Sequence, residues 1–423
     1  MNLLVWRLRL STTNILLPEP RDGWGSPMSV TTRISSGPTL DDYQAENAPA
    51  MRIAMIGQRG IPATFGGIER AVEELGAQLA SRGHEVVVYC RSGYVEGPPV
   101  VHRGMTLRDL PTVNSKHLEA FVHTGLATAD AMRQGFDILH FHALGPGLFA
   151  PMARLDRRTR VVQTIHGLDD QRAKWGSCAQ RILRVGAWTS ARVPHATIVV
   201  SRDLQRHYLE RWRRATHAIP NGVSRGVQAS SYEEIQRRFG LEPGSYVLFV
   251  GRVIPEKAVD LLVTAFGNLD TDLRLVIAGG SSHTDAYAAR VKDLADADPR
   301  ILLTGFVYDE TLAQLYSHAA AFVLPSELEG LPLSLLEAAS YGVPVVASDI
   351  PPHLEILGGE APGGRLFEVG SAGGLTDALE RSLGGGTAER EGARRLRDKV
   401  LARYRWDAIA EQTVDLYRDV LSQ

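Results

Sequence analysis

The sequence predicts an α/β protein made of two doubly wound, parallel-sheet domains that face a central cleft. Apolar runs of strand length alternate with helix-length segments along most of the chain, the pattern of βαβ units. At 423 residues the chain is too long for one ordinary core and suits two. Glycine-rich or helix-opening stretches follow directly on strand-like runs, where open α/β sheets bind ligands.

Taken in order, residues 1–50 are rich in Pro, Gly, Ser and Thr and lack periodicity, which predicts a disordered extension. Its first ten residues carry Arg7 and Arg9 within the apolar stretch and no clean small-residue cleavage site, so they do not read as a signal peptide. Regular structure begins at Met51. Residues 51–222 form the first domain, with RIAMIG, EVVVYC, DILHFH, RVVQTIH and ATIVVS as strands. The patternless IPNGVSRGVQASS marks the boundary. Residues 223–403 form the second domain, with YVLFVG, LRLVIAGG, RILLTGF, AAFVLP and PVVAS as strands. Residues 404–423 have helical spacing of Trp406, Ile409, Val414, Leu416 and Tyr417, a helix in need of a groove, with the first domain as one candidate.

Composition narrows the class. Hydrophobic residues make up 44% and charged residues 22%, as in soluble globular proteins. The two cysteines, Cys90 and Cys178, exclude a disulfide framework and fit a reducing cytosol. No apolar run reaches the roughly 18 residues that span a bilayer. The net charge of −2 divides unevenly, with +9 over residues 51–220 and −10 over residues 221–423. Much of the basic charge lies in arginine groups near Trp175, Trp188 and Trp212, a mixture suited to an anionic membrane surface. A solvated arginine face over core tryptophans is the alternative. No nucleic-acid recognition motif accompanies the charge.

Four motifs could carry chemistry. The first, GQRGIPATFGGIER (57–70), links a strand to a helix, and the small Gly66 and Gly67 would let backbone amides approach an anion. A mere connecting turn explains it equally well, and it is not the dinucleotide spacing. The second is TIHGLDD, with His166 at a strand's carboxyl end, where an imidazole can donate to a substrate oxygen or be held by its neighbours. His140 and His142 alternate with Phe141 and read as structural strand residues. The third is GRVIPEK, where Arg252 and Lys257 offer a fork and a point charge to a diphosphate, or are two solvated cations. The fourth is PSELEGLPLSLLEAASYGVPVVAS. Glu329 would lie at a helix mouth beside Gly330 and Leu331, and Glu337 on the helix among apolar neighbours, where a carboxylate suits vicinal hydroxyls. Asp270-Thr-Asp272 and Asp296-Ala-Asp298 imitate a metal-binding D-x-D, but each precedes a strand, where Asp is a common turn residue.

In this order, GGIE, HG, PNG, GR-x4-K and E-x7-E followed by GVPVVAS, the motifs resemble retaining glycosyltransferases of family 4, which have the GT-B fold. The opening GIPATFGGIE resembles a bacterial subgroup that includes rhamnosyltransferases of surface polysaccharides. The resemblance runs from Met51 to the C-terminus and implies a hexosyl- or rhamnosyltransferase. It implies that Gly66 and Gly67 face diphosphate and acceptor, that His166 contacts the donor sugar, and that Arg252 and Lys257 grip the diphosphate. It further implies that Glu329 holds the sugar with the backbone of Gly330 and Leu331, that Glu337 binds the ribose, and that Phe306 and Val307 cradle the base. The implied partners are a nucleotide-diphosphate sugar as co-substrate and a lipid-linked or saccharide acceptor, with no metal or other cofactor. The implied place is the cytoplasm or the inner membrane face. One departure concerns the segment after Asp349, where many members carry a glycine pair and this chain has Ile350-Pro351-Pro352.

Two other classes share the architecture. A sugar-nucleotide epimerase would turn over its substrate without an acceptor. A silent binding module would bind and not turn over, which the set His166, Arg252, Lys257 and Glu329 argues against.

Overall fold

The computed structural model describes residues 49–423 apart from 65, 95–96, 98–99, 114–117, 169–176 and 282–284. The chain separates into residues 1–49 and one compact unit, Ala50–Gln423. The predicted extension lies almost wholly outside the described residues.

The compact unit holds two sheets. Among the described residues the first has eight strands in the order β3-β4-β2-β1-β5-β6-β7-β8. These are β1 (Arg52–Ile56), β2 (Glu85–Arg91), β3 (Val101–His102), β4 (Met105–Leu110), β5 (Ile138–His142), β6 (Arg160–Ile165), β7 (Ala196–Val199) and β8 (His217–Ala218). All neighbours are parallel except the β3–β4 pair. The second sheet, with six strands in the order β11-β10-β9-β12-β13-β14, is parallel throughout. Its strands are β9 (Tyr246–Val250), β10 (Arg274–Ala278), β11 (Ile301–Gly305), β12 (Ala321–Leu324), β13 (Val345–Ser348) and β14 (Gly364–Phe367). The central strands, such as AMI in β1 and VLF in β9, are buried on both faces because helices cover both sides. In each sheet the strand order reverses once, between β1 and β5 and between β9 and β12. Those switch points open crevices at the strands' carboxyl ends.

The helices that position the site are α1 (Gly67–Ser81), α2 (Glu119–Gln134), α3 (Ser177–Arg192), α4 (Arg202–Trp212), α5 (Leu333–Tyr341), α6 (Pro351–Leu357) and α7 (Trp406–Leu421). The start of α4 is fixed by Ser201, whose Oγ accepts from the Leu204 amide at 3.3 Å. Helix α5 follows Pro332 and ends at Gly342 in the left-handed region, φ +75°. Helix α7 packs on the first sheet: Trp406, Ile409, Val414 and Tyr417 share a core with Ile53, Val72 and Val86. The Val223 amide donates to the Tyr404 carbonyl, and Gly222 lies against the Trp406 ring, so the chain passes between the halves twice at one place.

Candidate active site

The loops after the switch-point strands converge. After β9 the chain turns through Gly251 and Arg252 into a short turn at Pro255–Lys257. After β12, Pro325–Pro332 leads into α5. Here the Lys257 ammonium pairs with Glu329 Oε1, and Ser326 Oγ donates to the same oxygen at 2.8 Å. The two side chains are only 13% and 12% exposed. Burial pushes the Glu329 carboxyl up, but the Lys257 charge and hydrogen bonds outweigh it and hold it below its ordinary value. Arg252 is half-buried in the same loop.

His166 follows β6 in the first sheet. A Cβ at Gly330 would overlap the His166 carbonyl oxygen, so the backbone after Glu329 abuts His166 from across the cleft. Gly330 is thus required by close approach. Leu331 is buried, and its carbonyl accepts from Asn221 Nδ2 at 3.3 Å, which ties the PNG segment to the mouth of α5. Gly67, at the start of α1, faces Leu333 at the start of α5. Gly66 adopts φ +107°, and the Glu69 carboxylate lies where its side chain would be. Glu69 Oε1 accepts from the Arg59 amide at 3.1 Å, so the mouth of α1 already carries one carboxylate.

Glu337 is half-buried on α5 and accepts from the Tyr316 hydroxyl at 3.1 Å. Burial raises its carboxyl, with the charge of Arg70 on α1 opposing. Phe306 presents a 39% exposed ring beyond β11, stacked on Tyr308 and lying over Gly280, while Val307 beside it is buried. An exposed aromatic face at that edge can receive a planar base.

Sequence reasoning missed the neighbours of these residues. His142, read as a structural strand residue, also meets His166: its Nδ1 lies 3.1 Å from His166 Nε2, with the rings stacked. His140 and His142, two apart on β5, share one strand face and pack ring against ring. His140 in turn meets the Tyr417 hydroxyl and Thr164 Oγ1, each at 2.6 Å. Burial draws the His140 imidazole down to about 3 and that of His142 well below its ordinary value, so both are neutral at pH 7. The i, i+2 spacing was the available signal, but only the sheet order shows that β5 and β6 are neighbours. In the second D-x-D look-alike Asp296 is paired to Lys292 and Asp298 is forked by Arg300. Among the described residues no group of three or more His, Cys, Asp or Glu is placed to hold a metal ion. No described helix is long and apolar enough to cross a membrane.

Comparison with known proteins accords with this geometry. The family model for Glycosyltransferase Family 4 matches residues 65–226, and that for Glycosyl transferases group 1 matches residues 231–397. The chain is 27% identical to the alpha-maltose-1-phosphate synthase of Mycolicibacterium smegmatis, over 88% of this chain and all of that protein. It is also 27% identical to the N-acetyl-alpha-D-glucosaminyl L-malate synthase of Bacillus anthracis, over 82% of this chain and 92% of the relative. Among solved structures, sucrose-phosphate synthase from Thermosynechococcus elongatus superposes with a TM-score of 0.76 at 24% identity, over 88% of this chain and 99% of that one. Anabaena HepE, solved with UDP-glucose, superposes with a TM-score of 0.74 at 17% identity, over 87% and 100%. The first match takes in all of the first sheet but β1, the second takes in the whole second sheet, and the chain belongs to glycosyltransferase family 4, with the GT-B fold.

Proposed function

We propose that this glycosyltransferase is a retaining, metal-independent enzyme whose donor is a nucleotide-diphosphate sugar. The observation that carries the reading is the meeting of the Lys257–Glu329 pair with His166 across the Gly330 contact. In the reaction the anomeric C–O bond to the diphosphate breaks, and the nucleoside diphosphate leaves with the electron pair. The acceptor oxygen bonds the same face of the sugar, and its proton passes to a leaving phosphate oxygen. Charge grows on the leaving group, so Arg252 and Lys257 act where a preorganised cation is most effective. Lys257 turns from Glu329 to the diphosphate, which frees the carboxylate for sugar hydroxyls. His166, hydrogen-bonded to the neutral His142, offers an imidazole near the oxocarbenium-like centre. Glu337 takes the ribose hydroxyls and Phe306 the base.

The acceptor is a saccharide or lipid-linked hydroxyl of the cell envelope, reached at the inner membrane face. Support comes from α3, where Ile182, Val185 and Trp188 are 49%, 53% and 50% exposed at three-residue spacing among Arg181, Arg184 and Arg192. Trp212 differs: it packs against the core and is no part of that surface. Arg172, Lys174 and Trp175 lie outside the described residues.

The test is a thermal-shift panel of nucleotides and sugar nucleotides, followed by transfer assays with the stabilising donor. A ligand at one hundred times its Kd adds about 2.7 kcal/mol. Absence of any shift across the panel sinks the donor assignment, and turnover without an acceptor points to an epimerase.

A further inference from the structure

His353 sits on α6, directly after the Ile350-Pro351-Pro352 segment that replaces the glycine pair, and is fully buried. Its Nδ1 lies 2.9 Å from the Ser348 carbonyl oxygen and 3.1 Å from Ser348 Oγ. A carbonyl oxygen only accepts, so Nδ1 carries the proton and the neutral ring presents a lone pair at Nε2. Burial draws this imidazole down to about 4, which keeps the ring neutral at pH 7. Yet Nε2 is buried and meets no hydrogen-bond donor among the described residues. A buried acceptor left unmet is costly and calls for an explanation.

Its place in the fold suggests one. The carboxyl ends of β12 and β13 are neighbours, and a hydrogen-bond path crosses them. His353 is held by Ser348, Ser348 Oγ donates to the Ser326 carbonyl, and Ser326 Oγ donates to Glu329, which Lys257 also holds. The ring therefore stands beside the pair assigned to sugar and diphosphate, and the charges that act on it are those of Glu329 and Lys257. A bare imidazole nitrogen cannot bind phosphate or carboxylate, which also only accept. It requires a donor, and a sugar supplies neutral O–H groups. On the donor reading above, Lys257 turns from Glu329 toward the diphosphate, which would open the way to the buried ring.

We propose that His353 is a specificity-determining residue of the donor site, accepting through Nε2 a hydrogen bond from one hydroxyl of the sugar held at Glu329. The proposal rests on the donor reading above. A site built to pair with a hydroxyl rejects the analogue that lacks it, because its own polar atom is then left unpaired.

The experiment compares wild type, His353→Leu and His353→Gln, each checked first for its unfolding temperature. The probes are the nucleotide sugar that wild type transfers, its single-deoxy analogues, and the free nucleoside diphosphate. His353→Leu should lower kcat/KM for the parent donor about ten-fold, equivalent to about 1.4 kcal/mol. It should leave nucleoside diphosphate affinity unchanged and cause no further loss with one particular deoxy analogue. His353→Gln, which keeps an acceptor near the Nε2 position, should recover most parent activity and the discrimination. Should the leucine variant not fold, retained discrimination in the glutamine variant supports the proposal and its disappearance counts against it. Equal losses on every analogue, or an unchanged parent, overturn the role of His353 alone. A folded wild type that transfers from no nucleotide sugar removes the donor reading and this proposal together.

Discussion

Replacing Lys257 by Met should destabilise the protein through Glu329 rather than through lost packing. The two side chains are 13% and 12% exposed, so this is no surface pair of 0–1 kcal/mol. Removing one partner of a buried pair leaves an uncompensated charge, at a cost of about 3–5 kcal/mol. For a domain of this size that is a fall on the order of 10 °C in unfolding temperature. The effect has a pH signature. Without the ammonium, burial raises the Glu329 carboxyl in the folded state above its value in the unfolded chain, near 4.3. The penalty is then fully present above the folded value and disappears as the pH falls through it toward the unfolded one. Unfolding temperatures of wild type, Lys257→Met, Glu329→Gln and the double variant should be measured at pH 7.5 and 4.5. The double variant should recover much of the loss at pH 7.5, and the single lysine variant should approach wild type at pH 4.5. A loss equal at both pH values and additive in the double variant would falsify the buried-charge account.

Arg252→Ala should reduce kcat on the order of 10²-fold, since its contact strengthens as leaving-group charge grows; near-wild-type turnover removes it from the diphosphate. Transfer should survive EDTA, and abolition reversed by Mg²⁺ or Mn²⁺ would show the metal-free mechanism to be wrong. The buried neutral imidazoles should make the fold acid-sensitive. The unfolded chain takes up their protons near pH 6.5, the folded chain only near 4 for His353 and about 3 for His140. Stability should therefore be full above pH 6.5 and fall toward pH 4, by about 3 kcal/mol from His353 alone; urea midpoints that stay level across that range contradict it. Trp188→Ser combined with Arg184→Glu should weaken co-sedimentation with phosphatidylglycerol vesicles at low salt, and wild-type protein left in the supernatant removes the membrane surface altogether.

The ten strands read from sequence are all present, because apolar runs of strand length announce themselves without tertiary context, even at the half-exposed edge strand β11. What was missed is short or exposed. Strand β3 and strand β8 have two residues each, and β4 is an edge-side MTLRDL with only Met105 and Leu107 buried. Strand β14, GRLF, follows glycines and is too brief to show a period. The site was legible as motifs but not as contacts. Lys257 and Glu329 are 72 positions apart, and nothing in either motif says that β9 and β12 are neighbours. His142 was set aside for the same reason: a period of two reveals which residues share a face, not which strand lies alongside. His353 carried no sequence signal, since its interest lies in a nitrogen without a donor.

Helix α7 gives the first half of the molecule a timetable. Its core is closed by Trp406, Ile409, Val414, Tyr417 and Val420, and His140 near the site is braced by Tyr417. Nearly all of that half is synthesised before residue 222, whereas its lid arrives only after the whole second sheet has been made. On the ribosome the first half must wait with an apolar groove uncovered, while the second, complete by about residue 403, can close as soon as it emerges. A fragment cut at the boundary near residue 222 would keep that groove open permanently and should aggregate. The half that carries His166 is the one whose completion depends on residues 406–421, which are made after the whole second sheet.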